Sequence, residues 1–382
     1  SLLSSTLPST HNAMSKPSTL SPDVDLISEV LQGEGYTTGG IVSNVNLAPS
    51  FGFDQGYDEY IYLGPDYIAG ADESSSKLIL YQLARQIVLR FQSGTRFGDF
   101  YQDSEVVNEE AMAWLDRNDQ SRFFLFLHYM DPHDPYFPHP YDGTGIARVS
   151  NQNPDPAEAA EMQALYRGEI EYLDGRFGEL LADLKARGLY DNTLIALVSD
   201  HGEEFQEHGG WWHGTTLYDE QILVPLLVKW PRDKAPRLAD GDLARMIDVA
   251  PTLIVAAGAE PPESMQGIDL TKGERSEKDR QVYSEEDHEG NVVWSLRTAD
   301  QKLIVANPGN PRGLEEREFY DMRADPGETQ NLAGGARAMD EARLEDHAEL
   351  QRKFATGEAV SGGEVEMDRA QCEQLKNLGY IE

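Results

Sequence analysis

Cysteine is nearly absent from this chain. Cys372 is the only one among 382 residues, so the chain can form no internal disulfide and no zinc site built on several thiolates. Disulfides occur mainly in proteins of oxidising compartments, and the lack of them favours a cytoplasmic location. Cys372 lies in a polar segment of helical pattern near the end of the sequence, and this setting predicts no catalytic role for its thiol.

Long apolar runs are missing as well. Runs such as residues 123–127 and 224–228 are far shorter than the roughly 20 residues that a membrane-spanning helix requires. No signal peptide is recognisable at the start of the sequence. We therefore predict a protein without membrane insertion, and these absences again favour the cytoplasm.

Basic residues are scarce relative to acidic ones. The chain has 32 Lys and Arg against 67 Asp and Glu, which gives a formal net charge of −35 at pH 7. Such a charge repels phosphate backbones and anionic lipids, and it excludes nucleic acid as an expected partner. The acidic residues are spread over the whole length, as is typical of a strongly hydrated surface suited to high salt. We predict a halophilic origin.

Helical and strand-like patterns alternate through the first two thirds of the chain. Amphipathic helical segments are followed in turn by apolar runs of strand length, at 22–32, 40–43, 103–118, 123–128, 157–187, 193–198, 224–230 and 242–258. This alternation predicts an α/β fold with a largely parallel sheet covered by helices on both faces.

The last third of the chain has a different pattern. Short segments of alternating polarity at 282–283, 292–297 and 302–305, followed by a polar helix, predict a small antiparallel α+β subdomain. A chain of this length also exceeds the usual size of one core. We therefore predict two domains, 1–265 and 266–382.

The segment 193–220 is the richest in residues that carry chemistry. It begins as an apolar run typical of a buried strand and stops abruptly at the tetrapeptide SDHG. Ligands in open α/β sheets bind beyond the carboxyl ends of strands, and Asp and neutral His are common ligands of divalent cations. We therefore predict that Asp200 and His201 bind a metal ion. The acidic side chains that follow fit a solvated loop instead, namely Glu203, Glu204 and Glu207.

Two further histidines, His208 and His213, follow in the same segment. His213 comes directly after Trp211 and Trp212, which could fill the core or line a substrate pocket. An imidazole near a metal can donate a hydrogen bond to an anionic substrate or protonate a leaving group. This combination suits displacement at a tetrahedral anionic centre whose non-bridging oxygens are polarised by a metal. We interpret His208 as structural or solvated.

A second polar loop, HYMDPHDPYFPHPY, follows the apolar run 123–127. Its four prolines keep it extended, which lowers the entropy cost of fixing His133 between two Asp-Pro dipeptides. Because this loop also follows a buried strand, we predict that His133 faces the same sheet edge as Asp200. The alternative is a rigid surface loop in which His133 is simply hydrogen-bonded. His139 is expected to have no direct functional role.

Taken in order, these motifs resemble the sulfatase family of the alkaline phosphatase superfamily. SLLSSTLPSTHN is similar to the segment after the family's nucleophile motif, MDPHDPY to its substrate-binding histidine loop, and SDHGEEF to its metal-binding segment. Two later segments resemble the family's C-terminal sequence motifs, namely FYDMRADPGETQNLA and LKNLGYIE. The resemblance implies an alkaline phosphatase-like core over 1–265, metal ligands at Asp200 and His201, and substrate contacts or a general acid at His133 and His213.

The chain departs from the family pattern in two respects. The family's nucleophile, a Cys matured to formylglycine or a Ser or Thr, and its first metal-binding carboxylates are expected upstream of Ser1. We therefore expect no activity from these residues alone. Many members also have Asp-Asn where this chain has Asp200-His201, and they bind calcium, which prefers oxygen ligands. The resemblance implies one divalent ion, calcium, whereas the imidazole of His201 also suits manganese or zinc.

For the complete protein, the resemblance implies a metal-dependent sulfuric ester hydrolase whose substrate is a small anionic sulfate ester. An alternative is a phosphodiester or phosphonate hydrolase, or a phospho-transferase, with the same residues and a Ser or Thr nucleophile. A third alternative is a non-catalytic homologue that acts as a binding protein. The residue at the nucleophile position distinguishes the first two.

Overall fold

The computed structural model of the chain describes residues 1–14, 17–65, 100–232, 236, 243–272, 281–288, 290–357, 359–360, 362–365, 367–378 and 380. These residues form two compact units, each assembled from two separate stretches of chain. The first unit comprises Ser1–Glu34 and Asn192–Glu364, and the second comprises Gly35–Asp191 and Val365–Glu382. Within the described ranges, no helix is long and apolar enough to span a membrane.

The regular elements are numbered here in chain order. The helices are α1 (Pro8–His11), α2 (Ile27–Gly33), α3 (Ser104–Asn118), α4 (Ala159–Ala186), α5 (Asp219–Ile222), α6 (Val249–Ala257), α7 (Ala338–Gly357) and α8 (Arg369–Asn377). The strands are β1 (Thr37–Val42), β2 (Glu59–Tyr62), β3 (Phe123–His128), β4 (Ile195–Val198), β5 (Glu204–Phe205), β6 (Trp211–Trp212), β7 (Leu226–Lys229), β8 (Val282–His288), β9 (Asn291–Arg297), β10 (Gln301–Ala306) and β11 (Arg317–Asp321).

The second unit contains a parallel sheet in the order β2–β1–β3. Val42 at the end of β1 pairs with both Tyr62 and His128, so the three strands end at the same level. The loops that leave β1 and β3 therefore start from one edge of the sheet, which is where open α/β sheets bind ligands.

Helix α3 packs directly against the central strand of this sheet. Asp103 starts the helix, because its side chain accepts a hydrogen bond from the backbone N–H of Val106 at 3.2 Å. The indole of Trp114 is so close to β1 that a Cβ at Gly39 would lie 2.6 Å from it. A glycine is therefore required at this point of the strand.

The C-terminal helix α8 completes the core of the second unit. Its residue Leu375 and the following Leu378 are fully buried against Val45, Met130 and Phe137. Residues from the end of the sequence thus pack beside the segments that follow β1 and β3.

The first unit is built around an antiparallel sheet in the order β11–β10–β9–β8. Helix α7 packs on one face of this sheet, where Leu344 and Ala348 are buried against Leu296, Leu303 and Phe319. The same unit contains the two-stranded antiparallel pair of β4 with β7. The loop that carries Asp200 and His213 connects these two strands.

The predicted α/β class is confirmed by the parallel sheet β2–β1–β3 with its helices, and the predicted antiparallel C-terminal sheet by β8–β11. One pairing differs from the expectation of parallel strands. Ile195 pairs with Lys229 and Val198 with Leu226, so β7 runs antiparallel to β4. The connection between them contains only short elements, the two-residue strands β5 and β6 and the four-residue helix α5.

Two helices are shorter than their sequence patterns predicted. The helix expected from residue 22 begins at Ile27, because Val24 N–H bonds to Ser21 O at 3.2 Å and closes a turn first. The other helix was expected over 242–258, of which residue 242 lies outside the described residues. The chain forms a 3-10 turn at Met246–Asp248, and the helix α6 begins only at Val249. The predicted domain boundary at residue 265 stays a prediction.

Candidate functional site

Asp200 and His201 lie directly beyond the end of β4. A tight turn holds them: the Ser199 hydroxyl donates to His201 O at 2.6 Å, and His201 N–H donates to Asp200 Oδ1 at 3.0 Å. Asp200 Oδ2 lies 3.7 Å from His201 Nε2. The Asp200 side chain is 69% exposed and that of His201 35%, so both can be reached from solvent.

The orientation of His201 suits a divalent cation. Its Nδ1 lies 2.9 Å from Gly202 O, and since a carbonyl only accepts, Nδ1 carries the hydrogen and Nε2 presents its lone pair. Such a carbonyl partner is the usual outer contact of a metal-bound histidine. The 3.7 Å separation lets Nε2 and Asp200 Oδ2 bind one ion at ligand distances of about 2.0–2.6 Å.

Asp200 and His201 supply only part of a coordination shell. Among the residues that the structure describes, no group of three or more His, Cys, Asp or Glu is arranged to hold a metal ion. Burial opposes the charged imidazolium of His201, but Asp200, the carbonyl of Gly202 and Glu203 outweigh it and raise the pKa of His201 above its usual value. A cation at this position would take the place of that proton.

His213 lies against His201. The two imidazole rings stack with centroids 3.9 Å apart and an interplanar angle of 25°. His213 Nδ1 lies 3.2 Å from Glu203 Oε1, which makes Nδ1 the donor to a buried carboxylate. The residue before it, Trp212, has a φ of +70°, a left-handed conformation that a bulky side chain rarely adopts. Backbone strain of this kind is often found at functional sites.

The prediction of a solvated acidic loop is wrong for Glu203 and Glu204 and holds for Glu207, which is exposed. Glu203 is buried because it pairs with His213. Glu204 is buried because its carboxylate accepts hydrogen bonds from Arg312 Nη2 at 2.7 Å and from the Gly210 N–H at 2.7 Å.

The loop folds back tightly on itself and on Arg312. A Cβ at Gly202 would lie 2.1 Å from the carbonyl oxygen of Glu220, since the Glu203 N–H bonds to that same oxygen at 3.0 Å. A Cβ at Gly210 would lie 1.4 Å from a guanidinium nitrogen of Arg312. Both glycines are therefore needed because a side chain at either position would collide with these neighbouring atoms, and not because the chain has to be flexible there.

A buried ion cluster fixes the segment that follows His213. Asp219 at the start of α5 binds Lys302 Nζ at 2.8 Å and Arg297 Nη2 at 2.9 Å, and the Lys302 side chain is fully buried. Glu328 joins the cluster through Lys302 at 2.6 Å and the Asp219 N–H at 2.6 Å. Burial alone would raise the pKa of Asp219, but Lys302 and Arg297 lower it below its usual value. The loop is thus tied to β9 and β10 by charged contacts.

His208 is held by contacts within the first unit. Its Nδ1 lies 2.6 Å from Glu220 Oε1, its Nε2 lies 3.1 Å from Glu328 O, and its ring stacks on Tyr218 at 3.6 Å. Burial opposes the charged form, but these two acceptors outweigh it and raise the pKa of His208 to about 9. His208 is therefore a charged residue held by its neighbours, which favours the structural over the solvated of the two alternatives left open by the sequence.

His133 lies in the second unit, in the loop after β3. Its side chain is largely buried, with Nδ1 at 2.6 Å from Asp134 O and Nε2 at 3.1 Å from the hydroxyl of Tyr380. His139 in the same loop stacks on Tyr172 at 4.1 Å and lies 2.9 Å from Glu169 Oε2. The structure therefore gives both histidines definite partners, and their functional roles stay predictions.

Asp200, His201 and His213 are brought together in the first unit, and His133 is placed in the second. The sequence analysis missed the residues that hold them, above all Arg312, Glu204 and Tyr380. The buried arginine–glutamate pair left no signal in the local pattern, because its members lie 108 positions apart. In the sequence, Tyr380 stood out only as part of the C-terminal motif LKNLGYIE, which resembles the family's C-terminal sequence.

The family comparison agrees with the motifs. Residues 1–259 match the Sulfatase family model, and residues 206–355 match the one described as N-sulphoglucosamine sulphohydrolase, C-terminal. The chain belongs to the Sulfatase family. It is 32% identical over 182 residues to the N-acetylglucosamine-6-O-sulfatase of Bacteroides thetaiotaomicron, a match that covers 45% of this chain and 32% of that protein. The chain spans between 32% and 56% of the length of three curated relatives.

Solved structures confirm the alkaline phosphatase-like fold. One is a protein in complex with its substrate D-glucosamine-2-N,6-O-disulfate, with a TM-score of 0.66 and 19% identity over 93% of this chain and 87% of that one. Another is the phosphonate monoester hydrolase of Agrobacterium radiobacter, with a TM-score of 0.68 and 17% identity over 93% and 85%. At this identity the likeness concerns the fold alone.

Proposed function

We propose that this protein is a metal-dependent sulfuric ester hydrolase that acts on a small anionic sulfate ester. The observation that carries the proposal is the stack of His213 on His201 beside Asp200, at the end of β4. Membership of the Sulfatase family and the likeness to an N-acetylglucosamine-6-O-sulfatase support sulfate as the group that is transferred.

Asp200 and His201 are the proposed metal ligands. A bound divalent cation would supply polarisation of the sulfate oxygens and offset their charge. The carboxylate of Asp200 suits calcium, the ion that the family resemblance implies, whereas the imidazole of His201 suits manganese or zinc. Titration of the purified chain with each ion separately distinguishes these possibilities.

His213 is the proposed donor to the substrate. Glu203 accepts the hydrogen of Nδ1, so the proton that His213 can give to an ester oxygen is the one on Nε2. The buried carboxylate also stabilises the imidazolium, which prepares His213 to donate a hydrogen bond or a proton to the leaving oxygen. The hydrogen bond to Glu203 and the stack on His201 both restrict the orientation of the ring.

His133 is proposed as a second contact of the substrate. Its loop leaves β3 at the carboxyl edge of the parallel sheet, where ligands of open α/β sheets bind. If His133 and His213 act on the transferring group, their removal lowers kcat and kcat/KM together rather than raising KM alone. We expect a loss of about 10²–10⁴-fold for each.

The test uses the product of the complete gene, assayed on an aryl sulfate and an aryl phosphodiester side by side. His133→Ala and His213→Ala are compared with His139→Ala and His208→Ala, which should keep most of the activity. If His133→Ala and His139→Ala both lowered the activity only mildly and to the same extent, the Asp-Pro-His loop would not be part of the active site. Preference for the phosphodiester would favour the phosphodiester or phosphonate hydrolase, and ligand binding without turnover would favour the non-catalytic binding protein.

A further inference from the structure

Three polar side chains converge beyond the carboxyl ends of β1 and β3. The hydroxyl of Tyr380 lies 3.1 Å from His133 Nε2 and 3.2 Å from Asn44 Nδ2. Asn44 comes two residues after β1, and His133 comes from the loop after β3. Tyr380 reaches this sheet edge from the C-terminal segment, and nothing in its local sequence predicts the contact.

The direction of each hydrogen bond follows from the partners. His133 Nδ1 lies 2.6 Å from Asp134 O, which can only accept, so Nδ1 carries the hydrogen and Nε2 presents a lone pair. The hydroxyl of Tyr380 therefore donates to Nε2. Asn44 Oδ1 accepts from the Asn46 N–H at 2.9 Å, which fixes its amide and makes Nδ2 the donor to the tyrosine oxygen.

The position of Tyr380 is fixed by the core of the second unit. Leu375 and Leu378 are fully buried, and the Tyr380 N–H bonds to Leu375 O at 2.8 Å. The rings of Tyr380 and His133 lie with centroids 5.6 Å apart at 50°. Because the backbone of Tyr380 is bonded to α8 and its side chain packs against the buried cluster around Leu375, its hydroxyl can restrain the plane of His133.

We propose that Tyr380 is a positioning residue: its hydroxyl donates to Nε2 of His133 and, together with Asp134 O at Nδ1, holds the ring in one plane and in the Nδ1–H tautomer. A histidine whose Nδ1 donates and whose Nε2 accepts keeps one tautomer and one ring orientation. The consequence for catalysis rests on the proposed function of His133, whereas the positioning itself does not. The hydroxyl, rather than the ring of Tyr380, carries the effect.

The test measures the tautomer of His133 in the chain labelled with ¹⁵N-histidine. Ring nitrogen shifts are assigned with His133→Ala, and Tyr380→Phe is compared with the wild type. The matched control is Tyr62→Phe, whose hydroxyl donates to Gln374 Oε1 on the same helix α8 at 2.7 Å. In Tyr380→Phe, we expect the ¹⁵N shift of His133 Nε2 to move toward the value of a ring nitrogen that accepts no hydrogen bond. In Tyr62→Phe, the shift should stay at the wild-type value.

Unchanged His133 signals in Tyr380→Phe would overturn the proposal, and so would an equal change in Tyr62→Phe. If Tyr380→Phe fails to fold, Asn44→Ala gives the second measurement, because losing the donor to the tyrosine oxygen should shift the same signal in the same direction by less. In the complete gene product, the effect of Tyr380→Phe on kcat should vanish in a His133→Ala background. Full activity of His133→Ala would refute the proposed role of His133 and leave the tautomer result standing.

Discussion

Arg312 Nη2 lies 2.7 Å from Oε1 of Glu204, and the carboxylate of Glu204 is fully buried. The guanidinium also occupies the space beside Gly210 that a side chain would need. A residue of the segment between β10 and β11 thus holds the hairpin of β5 and β6, which lies between His201 and His213 in the chain. The conformation of the loop that carries Asp200, His201 and His213 therefore depends on the segment between β10 and β11.

Arg312→Met should destabilise the protein strongly, because it leaves the charge of Glu204 buried without its cation. Removing one partner of a buried ion pair costs about 3–5 kcal/mol. The measurement is the free energy of unfolding in urea. Arg323→Met is the matched control: its ion pair with Asp300 is solvent-exposed and should contribute less than about 1 kcal/mol. Similar losses in both variants would contradict the role assigned to Arg312.

Asp200→Ala should abolish binding of a divalent cation while the fold is kept, because it removes one of the two proposed ligands and leaves an exposed position empty. Calorimetric titration of the chain with calcium, manganese and zinc measures this directly. Asp346→Ala on the exposed face of α7 removes the same charge elsewhere and should bind metal like the wild type. Full metal occupancy in Asp200→Ala would refute the ligand assignment.

Glu169→Gln should change how stability depends on pH. Burial raises the pKa of Glu169 to about 8, in spite of the hydrogen bond from the Phe137 N–H, so the folded chain binds this proton more tightly than the unfolded one. Its contribution is complete below about pH 4.5 and is lost as the pH rises through about 8. Burial raises the pKa of the neighbouring Asp131 to about 7, in the same direction.

The glutamine variant should therefore lose less unfolding free energy than the wild type between pH 5 and pH 8, by up to a few kcal/mol, at about 1.4 kcal/mol per pKa unit. Glu179→Gln, on an exposed position of the same helix α4, should follow the wild-type profile. Parallel profiles for the wild type and Glu169→Gln would show that Glu169 titrates as it does in the unfolded chain.

Added salt should stabilise this protein. With 67 acidic against 32 basic residues, the surface charges repel one another in dilute buffer, and dissolved cations screen that repulsion. We expect the Tm in molar KCl to exceed that in low-salt buffer. A Tm that is unchanged or lower in KCl would argue against the predicted halophilic origin, which otherwise rests on composition alone.

Elements with a strong local signal were predicted well. β3 was predicted residue for residue at Phe123–His128, because it is a continuous apolar run with polar residues on both sides. β2 was missed, since Glu59–Tyr62 has only four residues and no apolar run. Local pattern predicts an element well when a continuous apolar run marks it, even though the side chains of β3 are only partly buried.

The support of the candidate site could not be predicted in the same way. Glu204 looked solvated in sequence, because an acidic residue is normally exposed unless a partner compensates its charge. That partner, Arg312, is supplied by the C-terminal sheet. Tyr380 and His133 lie 247 positions apart, and only the folded chain brings them together. Asp200, His201 and His213 could be singled out because they lie within one short segment.

The packing of Leu375 and Leu378 against Val45 and Met130 has a consequence for synthesis on the ribosome. The stretch Gly35–Asp191 emerges early, yet part of its core arrives only with α8, after all of β4–β11 has been made. Until then, Val45 and Met130 lack the contacts that Leu375 and Leu378 supply. This unit therefore completes its folding last, although most of it is translated first.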